Sequence, residues 1–334
     1  MPLTFKQWFF LIFLCMVSSI GMAQSEKNAI RVHDPVMVQQ DDSYYLFATG
    51  RGIAVWSSPD MKDWKREESV FEEAPQWTLD MNPDFRNHIW APDIAEYNGT
   101  YYLYYSVSQF GRNKSAIGVV TNETMNPNDP NYEWVDHGPV VQSVPGRDLW
   151  NAIDPNLSFD DEGTPWLSFG SYWRGIKIVQ LKKNLTEITT SPQSWRTIAS
   201  RHRYWKLDVR DAGNKSSGDI EAPFIFKKNG FYYLFASWDR CCAGKESTYK
   251  VVVGRSENIT GPYLDKTDKK MIHGGGTLVT KGNKKWAAVG HQAAYTFDDT
   301  DYLIFHGYDN EDDGDAKLII REIEWTDGWP AVKL

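Results

Sequence analysis

The chain has 334 residues, with 36 basic and 44 acidic side chains and a formal net charge of −8. Its 15 Trp, 17 Tyr and 16 Phe residues make up 14% of the total. Affinity for nucleic acid comes mostly from counterion release by clustered Lys and Arg, so a net acidic chain argues against a nucleic-acid partner. The length and the aromatic content predict a large buried core, and neutral polar substrates suit the charge better.

The N-terminus is typical of a secretory signal peptide. Lys6 supplies a short positive region, residues 8–17 are apolar, and residues 18–23 are mostly small. We therefore predict a signal peptide over residues 1–23, cleaved near Ala23. The apolar stretch is well short of the roughly 18 residues that a confident membrane span needs. The expectation is a secreted or periplasmic protein with no membrane span in the mature chain, acting as a monomer.

Two cysteines remain once that segment is removed, and they are adjacent: Cys241 and Cys242. Neighbouring cysteines cannot join distant segments, so the fold must be held by its core rather than by a disulfide framework. The pair could form a vicinal disulfide or stay reduced, and the sequence leaves both states open.

One pattern recurs along the chain: a Pro beside an acidic residue, followed about nine to eleven positions later by an aromatic strand. Four copies are clear, and a fifth is degenerate. The copies are Asp34-Pro35 with Tyr44 to Phe47, Pro92-Asp93 with Tyr101 to Tyr105, Asp154-Pro155 with Trp166 to Phe169, Glu221 to Pro223 with Tyr232 to Phe235, and Gly290 to Gln292 with Tyr302 to Phe305.

Each unit contains short segments rich in Val, Ile and aromatic residues, separated by turn signals such as Asn98-Gly99. In the second unit the predicted strands cover residues 92–97, 100–109, 115–121 and 133–137. Four strands in each of five units predict an all-β fold, a five-bladed β-propeller forming one domain over residues 28–334. The aromatic strands would then pack between neighbouring blades. A β-sandwich or two unrelated β-domains are the alternatives.

In a propeller the first strand of each blade lines the central channel, so the repeat-opening motifs should converge. This would bring together Asp34, Asp93, Asp154, Glu221 and His291. Converging carboxylates repel one another and lose solvation, a combination typical of functional sites. With a neutral polar substrate it predicts glycoside hydrolysis, in which one carboxylic acid protonates the leaving oxygen and another carboxylate activates water or attacks carbon.

Aromatic side chains next to these motifs are candidate platforms for sugar rings. Trp90 directly precedes a repeat-opening motif, while Phe110 and Trp173 follow channel-side strands. The acidic run over residues 309–315 lacks the spacing of an EF-hand, and we interpret it as a solvated loop.

Several sequence blocks resemble glycoside hydrolase family 43 and, within it, the endo-1,5-α-L-arabinanases. The blocks are His33-Asp34-Pro35, Ile89 to Asp93, Tyr101 to Ser106, Ser115 to Gly118, Asn151 to Asn156, Gly170 to Trp173 and Cys241-Cys242. The resemblance covers nearly the whole mature chain. It implies a five-bladed propeller and an inverting mechanism that cleaves internal α-1,5 bonds of arabinan.

The resemblance also implies roles for individual residues. Asp34 would be the general base, Glu221 the general acid, and Asp154 the residue that keeps the acid protonated and orients it. With the aromatic candidates, the expected substrate-binding residues are His33, Trp90, Phe110, Gly118, Asn151, Ile153, Ser171 and Tyr172. His291 resembles the ligand of an axial, mostly water-coordinated calcium ion that acts structurally and electrostatically, and no organic cofactor is expected.

Two positions differ from the pattern of the resembled enzymes. Ala222 follows the acid where Gly is frequent, and Gln292 follows His291 where Asn or another small residue is common. The alternative functions are an exo-acting α-L-arabinofuranosidase or β-xylosidase on the same scaffold, a retaining enzyme of the invertase type, and a non-catalytic carbohydrate-binding propeller.

Overall fold

The computed structural model describes residues 29–201 and 219–334, and these residues form an all-β, five-bladed propeller. The expected signal peptide over residues 1–23 lies outside the described residues, so it stays a prediction. Within the described parts of the chain, no helix combines the length and the apolar character that crossing a membrane requires.

Each blade is an antiparallel sheet of consecutive strands. Blade one contains β1 (Val36–Gln40), β2 (Ser43–Ala48), β4 (Ala54–Ser58) and β5 (Lys65–Arg66), while β3 (Gly50–Arg51) joins blade two. A short helix, α1 (Gln76–Met81), precedes blade two, which contains β6 (His88–Tyr97), β7 (Thr100–Val107), β8 (Ser115–Asn122) and β9 (Val135–Ser143). Blade three contains β10 (Asn156–Phe159), β11 (Pro165–Phe169), β12 (Ile176–Gln180) and β13 (Arg196–Ala199).

The last two blades complete the circle. Blade four contains β14 (Ile220–Lys228), β15 (Phe231–Trp238), β16 (Lys250–Ser256) and β17 (Thr277–Lys281). Blade five contains β18 (Trp286–Phe297), β19 (Thr300–Asp309) and β20 (Ala316–Glu322), and a hairpin of β21 (Glu324–Thr326) and β22 (Trp329–Ala331) follows. Single 3₁₀ turns occur at Pro192–Ser194, Gly244–Glu246 and Met271–His273.

The outer edge of blade five pairs with residues at the start of the described chain. Val32 donates its N–H to the carbonyl of Ala316 at 3.1 Å, and Leu318 donates to the carbonyl of Ile30 at 3.0 Å. The sequence predicted four strands from within the fifth unit, but three are found there. Backbone pairing between the first and last blades closes the circle and leaves fewer unpaired strand edges.

The strand predictions for blade two agree with the structure except at the last strand. We predicted residues 133–137, whereas β9 runs over Val135–Ser143. Its pairing with β8 continues through Pro139 to the Ser115–Ser143 pair, with register shifts around Gly118. An irregular register accommodates the Pro within the strand.

Aromatic side chains pack between neighbouring blades, as the repeat predicted. Tyr97 of blade two stacks on Phe159 of blade three with ring centroids 4.9 Å apart. Phe224 of blade four meets Tyr295 of blade five edge-on at 5.3 Å. Such pairs add about 0.5–1.5 kcal/mol each beyond the area that they bury, so the aromatic strands hold the blades together.

Candidate active site

The opening of each blade carries one non-glycine residue in the left-handed backbone region, always at the same place in the repeat. These residues are Asp34 (φ 56°), Ala91 (φ 42°), Asp154 (φ 57°), Ala222 (φ 54°) and His291 (φ 52°). Left-handed backbone is uncommon for residues other than Gly and often marks a functional constraint. In blades two, four and five the first strand is bulged at this point, and a bulge re-aims the side chains beside it.

The backbone N–H groups of these five residues form a closed ring of hydrogen bonds around the axis, which we call the axial ring. Four of them donate to a side chain at the end of the second strand of the preceding blade. The four bonds are Ala91 N to Thr49 Oγ1 (2.8 Å), Asp154 N to Ser106 Oγ (3.1 Å), His291 N to Ser237 Oγ (2.8 Å) and Asp34 N to His306 Nδ1 (3.1 Å).

The fifth bond of the axial ring is different. The equivalent second-strand residue in blade three is Gly170, whose N–H pairs with the carbonyl of Ile153 and which has no side chain to accept a bond. The N–H of Ala222 instead donates to Oδ2 of Asp154 at 3.0 Å. A carboxylate thus takes the place that a hydroxyl or an imidazole occupies elsewhere, and this brings Asp154 next to the residue that follows Glu221.

Asp34 is a buried carboxylate with three side-chain donors. His33 Nδ1 lies 2.7 Å and His291 Nδ1 2.9 Å from its Oδ1, and the Thr49 hydroxyl donates to its Oδ2 at 2.5 Å. Burial alone would raise the pKa of Asp34, but the charge of His291 and the hydrogen bonds of His291 and His33 outweigh burial and hold this pKa well below its usual range. Asp34 is therefore ionised at neutral pH.

The hydrogen-bonding directions behind Asp34 follow from satisfying every group in turn. His306 accepts the Asp34 N–H at Nδ1, so its Nε2 carries a proton and donates to the Tyr308 hydroxyl at 3.2 Å. Tyr308 also accepts the Cys242 N–H at 2.8 Å, which directs its own hydrogen to His33 Nε2 at 2.9 Å. His33 then donates from Nδ1 to Asp34, so the chain of bonds ends on the carboxylate.

Glu221 sits on the opposite side of the axis, at the start of blade four, and is buried. Its Oε2 accepts the Ser171 hydroxyl at 2.7 Å, and its Oε1 accepts the Tyr249 hydroxyl at 2.7 Å. Both donors are neutral. Burial, followed by the charges of Glu221 and Asp154, raises the pKa of Tyr249 well above its ordinary value, so that hydroxyl keeps its proton.

Asp154 is buried between these two carboxyl groups. Burial raises its pKa to about 7, with the charges of Glu221 and Asp34 adding to the increase and the charge of His291 opposing it. Asp154 accepts the N–H of Ala222, the residue that follows Glu221, so it lies beside the start of blade four. Asp154 can hold a proton at a pH where Asp34 is fully ionised.

Asp93 does not join this cluster, contrary to the convergence that the sequence suggested. It lies two residues beyond the left-handed position of its blade and accepts bonds from Leu157 N at 2.7 Å and Asn156 Nδ2 at 3.3 Å. Burial raises its pKa to about 7. Asp93 joins blades two and three, and its role is structural.

The expected metal ligand, His291, faces the carboxylates. Burial alone would lower its pKa, but the charge of Asp34 and the hydrogen bond to it, together with the charges of Asp154 and Glu221, raise that pKa to about 9. Its Nδ1 is engaged by Asp34. Nε2 is the other ring nitrogen, and a single imidazole ligand suits a cation that keeps most of its water.

A different set of metal-ligating atoms is the one that the structure groups most tightly. Among the described residues, His33, Asp34 and His306 bring three ligand atoms within 4.8 Å of one another. Both ring nitrogens of His33 and of His306 already have hydrogen-bond partners. These nitrogens are therefore less available to a cation than Nε2 of His291.

Most of the expected substrate-binding residues lie around the same end of the axis. His33, Trp90, Ile153 and Glu221 each come directly before a left-handed residue, so they occupy one position of the repeat. Trp90 is partly exposed and pairs with Ser106 at the end of β7. Aromatic and carboxyl side chains are thus presented from different blades at the same level of the channel.

The loop after β11 and the segment before β10 contribute polar groups. Ser171 bonds Glu221 directly, while Tyr172 donates its N–H to the carbonyl of Ile220 at 2.8 Å. Asn151 is buried, and its Oδ1 accepts the Ser115 hydroxyl at 2.6 Å. Ser171 and Tyr172 thus stand beside the acid, whereas Asn151 is held through blade two.

Phe110 and Gly118 are placed differently. Phe110 is 81% exposed in the loop between β7 and β8, which lies on the same face of the propeller as the cluster. Gly118 lies in β8, the third strand of its blade, and a Cβ there would come within 2.6 Å of the Tyr105 ring and 2.9 Å of Trp77. Its side-chain position therefore faces packed aromatics, and a sugar-binding role for Gly118 stays a prediction.

Sequence reasoning missed the residues that hold the cluster in place: Thr49, Ser106, Ser237, Tyr249, His306 and Tyr308. Thr49, Ser106 and Ser237 share one signal, because each follows an aromatic second strand and lies opposite a repeat-opening motif. The repeat phase could have identified them. Tyr249 comes from the third-strand side of blade four and carries no such signal.

Cys241 and Cys242 form a vicinal disulfide, one of the two states that the sequence left open. The bridge lies on the active face, in the loop between β15 and β16. Cys242 donates its N–H to Tyr308, and its sulfur lies 3.9 Å from His33 Nε2. The disulfide therefore borders the hydrogen-bond chain that ends on Asp34.

Known proteins with similar sequences and structures are glycoside hydrolases. Residues 28–330 match glycosyl hydrolases family 43. The chain is 48% identical to the extracellular exo-α-(1→5)-L-arabinofuranosidase of Cellvibrio japonicus, over 99% of this chain and 94% of that protein. It is 41% identical to the extracellular endo-α-(1→5)-L-arabinanase 1 of Bacillus subtilis, over 90% of this chain and 87% of that protein.

A solved structure gives the same result. The α-L-arabinanase of Cellvibrio cellulosa complexed with arabinohexaose superposes with a TM-score of 0.87 at 49% sequence identity, covering 91% of this chain and 96% of that one. The shared propeller and the sequence identity over nearly the full length leave no second fold to consider. The chain belongs to glycosyl hydrolases family 43 and is a glycoside hydrolase.

Proposed function

We propose that this enzyme hydrolyses the α-1,5-arabinofuranosidic bonds of arabinan, the polysaccharide of plant cell-wall pectin side chains, with inversion at the anomeric carbon. The observation that carries the proposal is the contrast between the carboxylates on the axis. Asp34 is kept ionised, whereas Asp154, which accepts the N–H of the residue after Glu221, retains a proton up to about neutral pH. Inverting glycosidases need one carboxylate base and one carboxylic acid on opposite sides of the sugar.

In this mechanism Asp34 activates the attacking water. Its three donors fix the orientation of the carboxylate, and Oδ1 and Oδ2 remain acceptors toward a water on the sugar's far side. Glu221 protonates the leaving oxygen from the opposite side. Blades one and four are not neighbours in a five-bladed ring, which suits an inverting pair, since the two carboxyl groups must be far enough apart to admit the water.

The sugar would be held between polar groups near the acid and aromatic faces at the rim. Ser171 and Tyr172 lie beside Glu221, and Trp90 presents a partly exposed indole at the same level of the channel. Phe110 offers an exposed ring on the same face. Aromatic rings suit the C–H faces of sugars because they supply large, rigid apolar area.

Cleavage of internal bonds is the mode that the sequence predicted, and the Bacillus subtilis relative is named an endo-acting enzyme. Exo action is the second candidate, and a specific observation favours it. Identity to the relative named an exo-arabinofuranosidase is 48% over nearly the whole length of both chains, against 41% for the endo-acting relative.

The product profile on linear debranched arabinan tests the proposal and separates the two modes. Endo action lowers viscosity early, while few reducing ends have formed, and releases a ladder of oligosaccharides. Exo action releases one short product with little loss of viscosity. Proton NMR at early times should show the inverted anomer. No hydrolysis of arabinan, or release of the retained anomer, would overturn the proposal.

We also propose that a calcium ion binds at the axis through His291. Nδ1 of this residue is fixed by Asp34, and Nε2 would act as the protein ligand after the cation displaces its proton, with water completing the shell. The ion would supply positive charge beside the carboxylates. Metal analysis of the purified enzyme and calorimetric titration of the EDTA-treated enzyme with Ca²⁺ test this, and wild-type affinity in a His291→Ala variant would contradict it.

We also propose that the protein is exported from the cytoplasm. Relatives over nearly the full length are named extracellular, and residues 1–23 have the composition of a signal peptide. N-terminal sequencing of protein recovered outside the cytoplasm should begin near Gln24. Sedimentation of the same material would check the expectation of a monomer.

A further inference from the structure

Gln292 is a buried amide, 3% exposed, that follows His291 in the bulge of β18. Its Nε2 donates to the carbonyl oxygen of Ala222 at 2.8 Å, and its Oε1 accepts the Ser237 hydroxyl at 2.7 Å. Both polar ends of the amide are therefore used within the protein. Gln292 links the first strand of blade five to the first and second strands of blade four.

Ser237 fixes which way the amide points. Its oxygen already accepts the N–H of His291 in the axial ring at 2.8 Å, so its single hydrogen is free to go to Gln292. The amide must then offer its oxygen to Ser237 and its NH₂ to Ala222. The network thus assigns one orientation to Gln292 and one role, donation to the Ala222 carbonyl.

Ala222 is held at both ends. Its N–H is bonded to Asp154 at 3.0 Å and its carbonyl to Gln292 at 2.8 Å, while its φ of 54° lies in the left-handed region. Gly is the usual residue there, and Ala needs support from its surroundings to stay in that conformation. The direction of the preceding side chain, Glu221, depends on this backbone conformation.

We propose that Gln292 is a positioning residue for the general acid. It fixes the Ala222 carbonyl and thereby aims the Glu221 carboxyl at the glycosidic oxygen, although it does not contact the substrate. The inference rests on the proposed function, because it takes Glu221 as the acid. It also assigns a role to Gln292, which stands where Asn or another small residue is common in the resembled enzymes.

The dependence of the rate on the leaving group distinguishes positioning of the acid from general support of the fold. An arabinose leaving group needs a proton from Glu221, whereas 2,4-dinitrophenolate departs without one. The Gln292→Met variant keeps the volume of the side chain but removes both hydrogen bonds. We expect its kcat on linear arabino-oligosaccharides to fall about 10- to 100-fold with KM changed little, and its release of dinitrophenol from a 2,4-dinitrophenyl α-arabinoside to stay near the wild-type rate.

Two further variants make the test specific. Ser237→Ala removes the bond that orients Gln292 and should show the same selective loss in a weaker form. Tyr295→Phe is the matched control, because it removes another buried side-chain contact between blades, the bond from Met37 N at 3.3 Å. That variant should lower the melting temperature without changing the ratio of the two rates.

The outcomes separate the inference from the function on which it rests. If the wild-type enzyme hydrolyses neither arabinan nor the aryl arabinoside, the proposed function fails. If the wild-type enzyme is active and Gln292→Met slows both substrates equally, or slows neither, the positioning role is wrong. Should Gln292→Met fail to fold, Ser237→Ala and the shorter amide in Gln292→Asn decide by the same ratio of rates.

Discussion

The two sides of the axis hold the same functional group in opposite surroundings. Asp34, at the start of blade one, receives bonds from two histidines and a hydroxyl, and the positive charge near it keeps it ionised. Among the described residues, two neutral hydroxyl groups donate to Glu221 at the start of blade four, and Asp154 lies next to the residue that follows it. One side therefore stabilises an anion, and the other raises the pKa of Asp154 so that it can hold a proton.

Neighbouring groups, rather than burial, create this difference. Asp34 and Asp154 are both buried, yet their pKa values move in opposite directions. At Asp34 the charge of His291 and the hydrogen bonds of His291 and His33 together outweigh the cost of burial, while at Asp154 burial and the charges of two other carboxylates prevail. The repeat places one residue of each blade at the same level of the channel. Different hydrogen-bonding and charged neighbours can thus make one carboxyl group a base and another an acid.

Substituting one carboxyl on each side gives the largest expected effect. Asp34→Asn should lower kcat about 10²- to 10⁴-fold on every substrate, because no leaving group removes the need to activate water. Glu221→Gln should cause a loss of similar size on arabino-oligosaccharides but a much smaller one on a 2,4-dinitrophenyl α-arabinoside. Initial rates on both substrates measure this. If both variants lost activity equally on the aryl substrate, the two sides would not be specialised.

Substitution of Thr49 tests how the Asp34 carboxylate is held in position. Its oxygen accepts the Ala91 N–H of the axial ring at 2.8 Å, which directs its hydrogen to Asp34 Oδ2 at 2.5 Å. Thr49→Val keeps the shape of the side chain but loses both bonds, and we expect kcat to fall about 10- to 100-fold. Thr49→Ser keeps the hydroxyl and should stay within about threefold of the wild type. Equal losses in both variants would point to packing of the methyl group instead.

The fold could be predicted from the sequence because its signals are local and repeated. Aromatic second strands such as Tyr232 to Phe235 and turn dipeptides such as Asn229-Gly230 recur in each unit and predict four strands and a turn. The closure of blade five could not be predicted this way. It depends on residues 30–32 pairing with β20, a contact between the two ends of the described chain that no periodic pattern specifies.

The candidate site was predictable only where its residues belong to the repeat. Asp34 and Asp154 stand directly before a Pro and were found by that spacing, but the same argument wrongly placed Asp93 beside them. A shift of one residue along an extended strand turns a side chain to the other face of the sheet. The bulge in blade two shifts the register after Ala91, so the Asp93 carboxylate accepts the Leu157 N–H instead of joining the cluster. Tyr249, from a third-strand segment, reaches Glu221 through tertiary packing alone.

The pH profile of kcat/KM should report on the carboxyl groups on both sides of the axis, Asp34 on one and Asp154 on the other. Asp34 is ionised over the usual range, so activity should hold down to about pH 4 or below. On the other side, Asp154 loses its proton as pH rises through about 7, and we expect the alkaline limb of the profile there. Asp154→Asn removes one negative charge and should move this alkaline limb to lower pH by about one unit while keeping an acceptor for the Ala222 N–H. An unmoved limb would show that Asp154 does not control the proton.

Asp93 provides the comparison outside the site, and its effect should appear in stability rather than in rate. Burial raises its pKa to about 7 in the folded enzyme, against about 3.9 in an unfolded chain. Between these values the folded state binds the extra proton, so the free energy of unfolding falls as pH rises, by up to about 1.4 kcal/mol per pH unit. Asp93→Asn removes this contribution and can still accept the Leu157 N–H. Urea unfolding at pH 5 and pH 7 should therefore show a smaller decrease in the variant, while its kcat/KM profile keeps the wild-type limbs. A pH dependence of unfolding equal to the wild type would mean that Asp93 stays ionised, and burial between blades would then not be enough to hold a proton on a carboxyl group that lacks a charged neighbour.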